Sequence, residues 1–250
     1  LKRGECPDSW NLSHPEGVEE VARQYVEAGS QIVLTNTFGG SRLSLGRFKL
    51  GDKAVAINTA GVEISKKAAG NRAAVFASIG PTGKMLLTKE TTEEELQNAF
   101  EEQADAQARA GADGIIVETM IDITEAGIAA RAAKRTGLPV IASMVFDSGV
   151  DQDTTLMGVT PESAVDEFTK IGVDGVGANC GQGIEGYIPI CRRMRRVTDL
   201  PIWIKPNAGL PEIIDEKTIF YTTADEFVKF VPDLIDAGAD FIGGCCGSDQ

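Results

Sequence analysis

The stretch Ala110-Gly111-Ala112-Asp113-Gly114-Ile115-Ile116-Val117-Glu118 joins the end of a helix to a short apolar strand. Glycine suits the left-handed residue that ends a helix, and the apolar run behind it is too short to form another helix. The chain repeats this joint, with proline as the helix stop in two cases, at 28–32, 136–140, 171–176, 199–202 and 237–242. Helices and apolar strands therefore alternate along the chain, which predicts a parallel α/β fold.

Seven strands are predicted, at about 31–35, 73–78, 114–118, 139–145, 174–178, 201–205 and 240–243. The helices between them are predicted near 15–28, 53–68, 92–110, 122–136, 161–171, 184–197 and 223–237. A closed (β/α)8 TIM barrel has eight of each. We therefore predict a TIM-barrel fragment that lacks the first strand and the last helix, with residues 1–250 as one truncated domain and 207–218 as a loop. A doubly wound open sheet is the alternative, and it is disfavoured because no Gly-x-Gly-x-x-Gly turn follows a strand.

Composition excludes several classes of protein. The 250 residues carry a formal net charge of −13, whereas nucleic acids and anionic membrane surfaces select basic proteins. No apolar run approaches the roughly 20 residues of a membrane span, and no secretion signal opens the chain. Five cysteines, an odd number without framework spacing, indicate a reduced, cytoplasmic protein. The single histidine, His14, falls in the first turn of a predicted helix, so a Ser-His-Asp triad and a histidine-rich metal site are not expected.

Polar residues concentrate where the predicted strands end. In a β/α barrel the reactive groups stand at the carboxyl ends of the strands and in the loops that follow, an edge called the rim below. In chain order the rim segments are Thr35-Asn36-Thr37-Phe38, Ser78-Ile79-Gly80-Pro81-Thr82-Gly83, Glu118-Thr119-Met120, Ser143-Met144-Val145, Asn179-Cys180-Gly181, Lys205-Pro206-Asn207-Ala208-Gly209 and Gly243-Gly244-Cys245-Cys246-Gly247.

The most specific rim motif is Gly243-Gly244-Cys245-Cys246-Gly247. Two adjacent cysteines between glycines suit two thiolates turned towards one ion, and Cys180 follows the strand two before them. Three thiolates leave a zinc ion electron-rich and suited to a substrate thiol at its open fourth position. The alternatives are a closed structural zinc site, for which Cys6 and Cys191 offer no obvious fourth ligand, and cysteines that are simply small buried apolar residues.

Glu118 ends an otherwise apolar strand, so its carboxylate needs a partner. A substrate ammonium group is one candidate. Solvation, or an ion pair with Lys205, is the other, and the residues alone favour neither.

With these motifs assembled, the chain resembles the homocysteine S-methyltransferase family, most closely the homocysteine-binding zinc domain of the cobalamin-dependent methionine synthases. The motifs that carry the resemblance are Trp10-Asn11-Leu12, Thr35-Asn36-Thr37-Phe38, Gly80-Pro81-Thr82-Gly83, Glu118-Thr119-Met120, Asn179-Cys180, Pro206-Asn207-Ala208-Gly209-Leu210-Pro211 and Gly243-Gly244-Cys245-Cys246-Gly247. The family also has an Asp-Gly-rich turn after its first strand that helps to bind the amino acid, and no such segment occurs before Leu1.

The resemblance implies the chemistry of the site. It implies a β/α barrel in which zinc is held by three cysteines that act through the metal, with the homocysteine thiolate as fourth ligand and Glu118 on the ammonium group of the amino acid. The metal ligands are Cys180, Cys245 and Cys246. Further substrate contacts are predicted from rim residues, namely Asn36, Ser143, Asn179 and Asn207.

The expected reaction is methyl transfer to the sulfur of L-homocysteine to give methionine. The resemblance of 206–211 to the cobalamin-linked branch implies methylcobalamin as donor, carried by a corrinoid-bearing domain or protein and recharged from methyltetrahydrofolate on a folate domain. One alternative is an enzyme that uses S-methylmethionine or betaine directly. A third possibility, from another class, is a non-catalytic zinc-binding scaffold.

Overall fold

The computed structural model describes residues 4–210, 212–214 and 217–249. Seven strands of the described residues form one sheet in the order β1-β2-β3-β4-β5-β6-β9, and two more form a separate antiparallel hairpin. The strands of the sheet are β1 Ile32–Leu34, β2 Ala74–Ile79, β3 Gly114–Met120, β4 Val140–Met144, β5 Gly175–Gly183, β6 Ile202–Asn207 and β9 Phe241–Ile242. The hairpin strands are β7 Glu212–Ile214 and β8 Lys217–Ile219.

Helices separate the strands of the sheet. They are α1 Trp10–Ser13, α2 Pro15–Glu27, α3 Arg42–Gly46, α4 Ala54–Ala69, α5 Glu93–Arg109, α6 Ile123–Lys134, α7 Pro161–Ile171, α8 Ile184–Arg195, α9 Ala224–Lys229 and α10 Val231–Asp236. Two short 3-10 helices cover Pro7–Ser9 and Gly51–Lys53. No helix of the described residues is long and apolar enough to cross a membrane.

All seven predicted strands are present, and the fold class is the predicted α/β architecture of a TIM barrel. The prediction was wrong at 207–218, where the structure has the β7–β8 hairpin instead of a plain loop. It also missed α1 and α3, which are too short to show a periodic apolar pattern. The predicted helix 223–237 is divided at Phe230 because Pro232 starts a new helical turn, where its missing N–H costs nothing.

The described residues group into two compact units. The first contains the residues up to Val117 together with Gly127–Val140, and the second contains Glu118–Ala126 and Ile141–Asp249. The prediction that residues 1–250 form one domain stays a prediction.

In the first unit, helices pack on β1 and β2 through small and branched apolar residues. Val26 of α2 and Ala69 of α4 are buried with Val33 and Val75 in one cluster. The paired strands are parallel, with Ile32 opposite Ala74. The face of β1 and β2 that carries Val33 and Val75 is therefore buried under these helices, as expected of parallel strands covered by helices.

In the second unit, β4, β5, β6 and β9 are consecutive parallel neighbours. Asn179 of β5 lies opposite Lys205 of β6, and Ile204 lies opposite Ile242 of β9. Because parallel strands end at the same edge, this register brings the residue after Asn179 and the loop after Ile242 to one side of the unit. That edge carries the cysteines.

Candidate metal centre

The loop that carries Cys245 and Cys246 is held by backbone hydrogen bonds to the end of β6. The Cys245 N–H donates to the Pro206 carbonyl at 2.7 Å, and the Ala208 N–H donates to the Cys246 carbonyl at 2.9 Å. The loop then turns at Gly247, whose φ of 80° and contact with the Phe220 ring leave no space for a side chain. The glycines of the motif therefore permit the turn that presents both thiols.

Cys180 reaches the same place from β5 through an uncommon backbone conformation. Its φ is 64°, in the left-handed region that non-glycine residues rarely adopt, and Gly181 repeats that value. The buried Tyr187 of α8 supports this turn, since its hydroxyl lies 2.7 Å from the Cys180 carbonyl oxygen and 3.0 Å from that of Asn179. Burial raises the pKa of Tyr187 well above its ordinary value, so the hydroxyl keeps its proton and acts as a donor.

The three thiols fit a single metal ion. Their Sγ atoms lie within 4.8 Å of one another, and the Sγ atoms of Cys180 and Cys246 are 3.9 Å apart. Two sulfurs bound to one tetrahedral zinc at about 2.3 Å lie about 3.8 Å apart. Among the described residues, no other group of three or more histidine, cysteine, aspartate or glutamate side chains gathers in this way.

The thiols also perturb one another. Hydrogen bonding with Cys180, followed by burial, raises the pKa of Cys245 above that of an ordinary thiol. In Cys180 and Cys246 the largest influence is a hydrogen bond with a neighbouring thiol that lowers the pKa, but the other S–H···S contact and burial outweigh it and raise the value. A cation that binds here must displace these protons, so its affinity depends on pH.

Beside the thiols lies a buried ion pair. The Lys205 ammonium donates to Oε2 of Glu118 at 2.9 Å, and both residues are at least nine-tenths buried. Burial is the largest influence on Lys205 and favours its neutral form, but the charge and hydrogen bond of Glu118, together with nearby thiols, raise its pKa above the ordinary value. Of the two roles that the sequence left open for Glu118, the structure shows the ion pair with Lys205.

Three other predicted substrate contacts lie at this edge. Ser143 and Asn179 are fully buried and hydrogen-bonded to each other, with Ser143 Oγ donating to Asn179 Oδ1 at 2.7 Å. Asn207 is 4% exposed, and its Oδ1 accepts the Cys246 N–H at 3.1 Å. All three side chains therefore contact the protein groups that shape the cysteine site.

Asn36 has different neighbours. Its Nδ2 donates to the Pro7 carbonyl at 2.9 Å and to Oδ1 of Asn11 at 3.0 Å, all within the first unit. The structure thus gathers Glu118, Ser143, Asn179 and Asn207 with the cysteines inside the second unit, whereas the hydrogen bonds of Asn36 hold the opening segment.

Sequence reasoning missed Tyr187 as a support of the site and mentioned Lys205 only as a partner of Glu118. Tyr187 is one turn into a helix, where an aromatic residue is ordinary, and no sequence signal marks it. Lys205 did carry a signal, because a lysine that directly continues the apolar run Ile202-Trp203-Ile204 needs an anion as partner if it is buried.

Comparison with known proteins identifies the family. The model of the family described as homocysteine S-methyltransferase matches residues 2–250. The chain is 29% identical to a methionine synthase of Mycobacterium tuberculosis (strain ATCC 25618 / H37Rv) and 27% identical to one of Mycobacterium leprae (strain TN), in each case over 97% of this chain. It spans 21% of the length of those relatives.

Solved structures show the same fold. The metallated form of the homocysteine methyltransferase MmuM from Escherichia coli superposes with a TM-score of 0.81 at 21% identity, covering 100% of this chain and 87% of that one. A putative phosphonomutase from Burkholderia cenocepacia J2315 matches with a TM-score of 0.57 at 14% identity, covering 90% of this chain and 82% of that one. With the family model matching nearly every residue, the chain belongs to the homocysteine S-methyltransferase family.

Proposed function

We propose that the chain binds one zinc ion through Cys180, Cys245 and Cys246 and uses it to methylate the sulfur of L-homocysteine, giving methionine. The family is described as homocysteine S-methyltransferase, which supports homocysteine as the substrate. The mycobacterial relatives are methionine synthases, which supports methionine as the product. The observation that carries the proposal is the gathering of three sulfurs, without a fourth cysteine, histidine or carboxylate in the group among the described residues. Such a set leaves a position for a substrate, as catalytic zinc sites do.

A zinc ion at these thiolates would supply the positive charge that keeps a neighbouring substrate thiol deprotonated and nucleophilic. The protein supplies the geometry. The backbone bonds of the cysteine loop hold two of the thiols at the end of β6, and the Tyr187 hydroxyl holds the turn at Cys180. Positions set by backbone contacts need little rearrangement when a ligand enters.

Glu118 and Lys205 are proposed to bind the charged end of the amino acid. In the structure each neutralises the other in a buried place. An incoming ammonium group can take the place of the Lys205 ammonium on Glu118 while the carboxylate of the amino acid pairs with Lys205, so that no buried charge is left unpaired. Ser143 and Asn207 are proposed substrate contacts at the same site, and the predicted contact of Asn36 stays a prediction.

The proposed reaction moves a methyl group from the donor to the homocysteine sulfur. The homocysteine thiol gives up its proton to solvent, its sulfur forms a bond to the methyl carbon, and the bond from that carbon to the donor breaks with its electron pair staying on the donor. In-line geometry of the sulfur, the carbon and the leaving atom is required for such a displacement. We propose methylcobalamin, on a corrinoid-carrying domain or partner and recharged from methyltetrahydrofolate, as the donor, and a cytoplasmic location.

Metal content tests the proposal. Cys245→Ser is expected to reduce zinc from one ion per chain to near zero, because two remaining thiolates bind zinc far more weakly than three. Cys191→Ala is the matched control, since Cys191 is buried in α8, where its thiol donates to the Ala237 carbonyl. The control should keep its zinc while losing some stability. Equal zinc in both variants, or none in the unmodified chain, would contradict the proposal.

Two further measurements select among the alternatives. A change of the zinc X-ray absorption on adding homocysteine, towards all-sulfur ligation, is expected of substrate binding at the metal, and no change would favour a non-catalytic zinc scaffold. Methionine formation should then be assayed with methylcobalamin, S-methylmethionine and betaine in parallel. Activity with either of the last two alone would replace the cobalamin proposal.

A further inference from the structure

We infer that Asn179 is a positioning residue that connects the turn after Glu118 to the sulfur of Cys245, and not a group that contacts substrate. The inference rests on the proposed metal site and assigns one residue a role within it.

The hydrogen bonds of the Asn179 side chain account for all of its donors and acceptors. Oδ1 accepts the Thr119 N–H at 2.9 Å and the Ser143 hydroxyl at 2.7 Å. Nδ2 donates to Thr119 Oγ1 at 2.7 Å and lies 3.9 Å from Cys245 Sγ, the long end of the range for an N–H···S contact. An amide has two lone pairs on its oxygen and two N–H groups, so none is left for a ligand.

Burial leads to the same conclusion. Asn179 is 0% exposed, whereas Cys180 and Cys245 are only partly buried and Cys246 is exposed. A substrate that approaches the exposed sulfurs therefore meets the thiols before it can reach the amide. Contact with Asn179 would require breaking at least one of these hydrogen bonds.

The contacts of Asn179 join two parts of the site. Thr119 has a φ of 61°, a conformation that a β-branched residue rarely adopts, and it directly follows Glu118. Two of the four hydrogen bonds of Asn179 hold this turn: the Thr119 N–H donates to Oδ1, and the Thr119 hydroxyl oxygen accepts from Nδ2. The remaining N–H points to a proposed metal ligand, so one planar amide sets the relative positions of the Thr119 turn and the Cys245 sulfur.

An N–H donated to a sulfur ligand stabilises its thiolate form and restrains its direction. Groups that orient metal ligands in this way typically change metal affinity by roughly 10–100-fold when they are removed. Asn179→Ala should therefore weaken cobalt(II) or zinc binding by about that factor. Ser143→Ala is the matched control, because it disturbs the same buried network but removes no group that contacts sulfur.

Affinity is measured by competition with a chromogenic chelator, and the cobalt(II) form gives a sulfur-to-cobalt absorption band as a second readout. The inference predicts weaker binding and a band at longer wavelength for Asn179→Ala, with affinity within about threefold of the unmodified chain and an unchanged band for Ser143→Ala. Equal affinities and spectra for the two variants would overturn it.

If Asn179→Ala does not fold, Asn179→Asp replaces it, because aspartate keeps the size and both acceptor contacts but loses the N–H groups. A band at the position of the unmodified chain in that variant would also overturn the inference. Failure of the unmodified chain to bind either metal would instead overturn the proposed function, so the two failures are distinguishable.

Discussion

Each of the two units contains a polar cluster beside the ends of its strands, and the two clusters are made of different chemical groups. The first unit has an amide cluster of neutral side chains, namely Thr37, Asn58, Ser78, Gln103 and Gln107. The second has a thiol cluster, Cys180, Cys245 and Cys246, next to the Glu118–Lys205 ion pair. Both clusters consist of polar groups among apolar residues. They differ in their exposure to solvent and in their charge.

The amide cluster is closed to solvent, with every member at most 1% exposed. The Gln107 amide N–H groups lie within 3.1 Å of acceptors on Thr37, Asn58 and Ser78, and Gln103 donates to the Thr37 carbonyl at 2.9 Å. Among the described residues only the side-chain oxygens of Gln103 and Gln107 in this cluster lack a hydrogen-bond partner. The hydrogen bonds of the cluster connect α4 and α5 to the ends of β1 and β2. The amide cluster therefore has a structural role.

The thiol cluster is partly open, and it contains groups that exchange protons or bind cations. Titratable side chains in a partly exposed place with shifted pKa values are typical of functional sites. Buried polarity alone therefore does not mark a functional site. The thiol cluster differs in that its ionisable groups lie close together and remain partly exposed.

Removing one partner of the ion pair should have the largest effect on stability. Lys205→Met keeps the long apolar stem but leaves the buried Glu118 carboxylate without its ammonium partner. Breaking a buried pair in this way costs about 3–5 kcal/mol, which equilibrium unfolding in urea would measure. The double variant Lys205→Met/Glu118→Gln should recover most of the loss, because no buried charge is left. A single variant as stable as the unmodified chain would show that Glu118 is solvated.

Gln107→Leu should have an intermediate effect, confined to the amide cluster. It removes the donor to three buried acceptors, and the expected loss of unfolding free energy is about 2 kcal/mol. Metal affinity should not change, which separates this cluster from the thiol cluster. Gln97→Leu is the control on the same helix, since Gln97 is only half-buried and bonds to Glu101, and its loss should stay below about 0.5 kcal/mol. A loss of metal affinity in Gln107→Leu would contradict the assignment of separate roles to the amide cluster and the thiol cluster.

Asp113→Asn should have the smallest effect, because this carboxylate is exposed at the surface of the first unit. Burial favours the neutral form of Asp113, but the Val75 N–H and the Lys66 ammonium outweigh it and hold its pKa below the ordinary value. A carboxyl group whose pKa is lowered by folding stabilises the fold at pH values above its unfolded pKa of about 3.9. That contribution is lost as the pH falls through the folded pKa. The variant should be less stable by under 1 kcal/mol or so at pH 7, with the difference vanishing below about pH 3. A difference that persists in acid would contradict this assignment.

The regular part of the fold could be predicted from the sequence because each joint has a local signature. The glycine of Ala110-Gly111-Ala112 follows the end of α5, and the apolar run after it forms β3. Both signals are local in the sequence. The β7–β8 hairpin lacks such a signature. Its strands are three residues long, and they are stabilised by pairing with each other more than by the strand propensity of their residues.

The candidate site was predictable to the extent that it consists of unusual residues. Adjacent cysteines attract notice in any sequence, and parallel topology brings Cys180 to their edge. The hydrogen bonds of Asn179 were not predictable, because they depend on the left-handed turn at Thr119 and on the side-chain register of β4 and β5. Asparagine at a strand end is equally compatible with binding a ligand and with holding a turn.

The placement of the cysteines along the chain has a consequence for the order in which the molecule is assembled on the ribosome. The amide cluster is complete once Gln107 has been made, whereas the thiol cluster waits for Cys246. At about 5–20 residues per second, the interval is roughly 7 to 28 seconds. Cys180 is made about halfway through this interval, and its thiol then lacks its two partners until Cys246 is added. The proposed metal site can therefore form only late in synthesis, after the first unit has had time to fold.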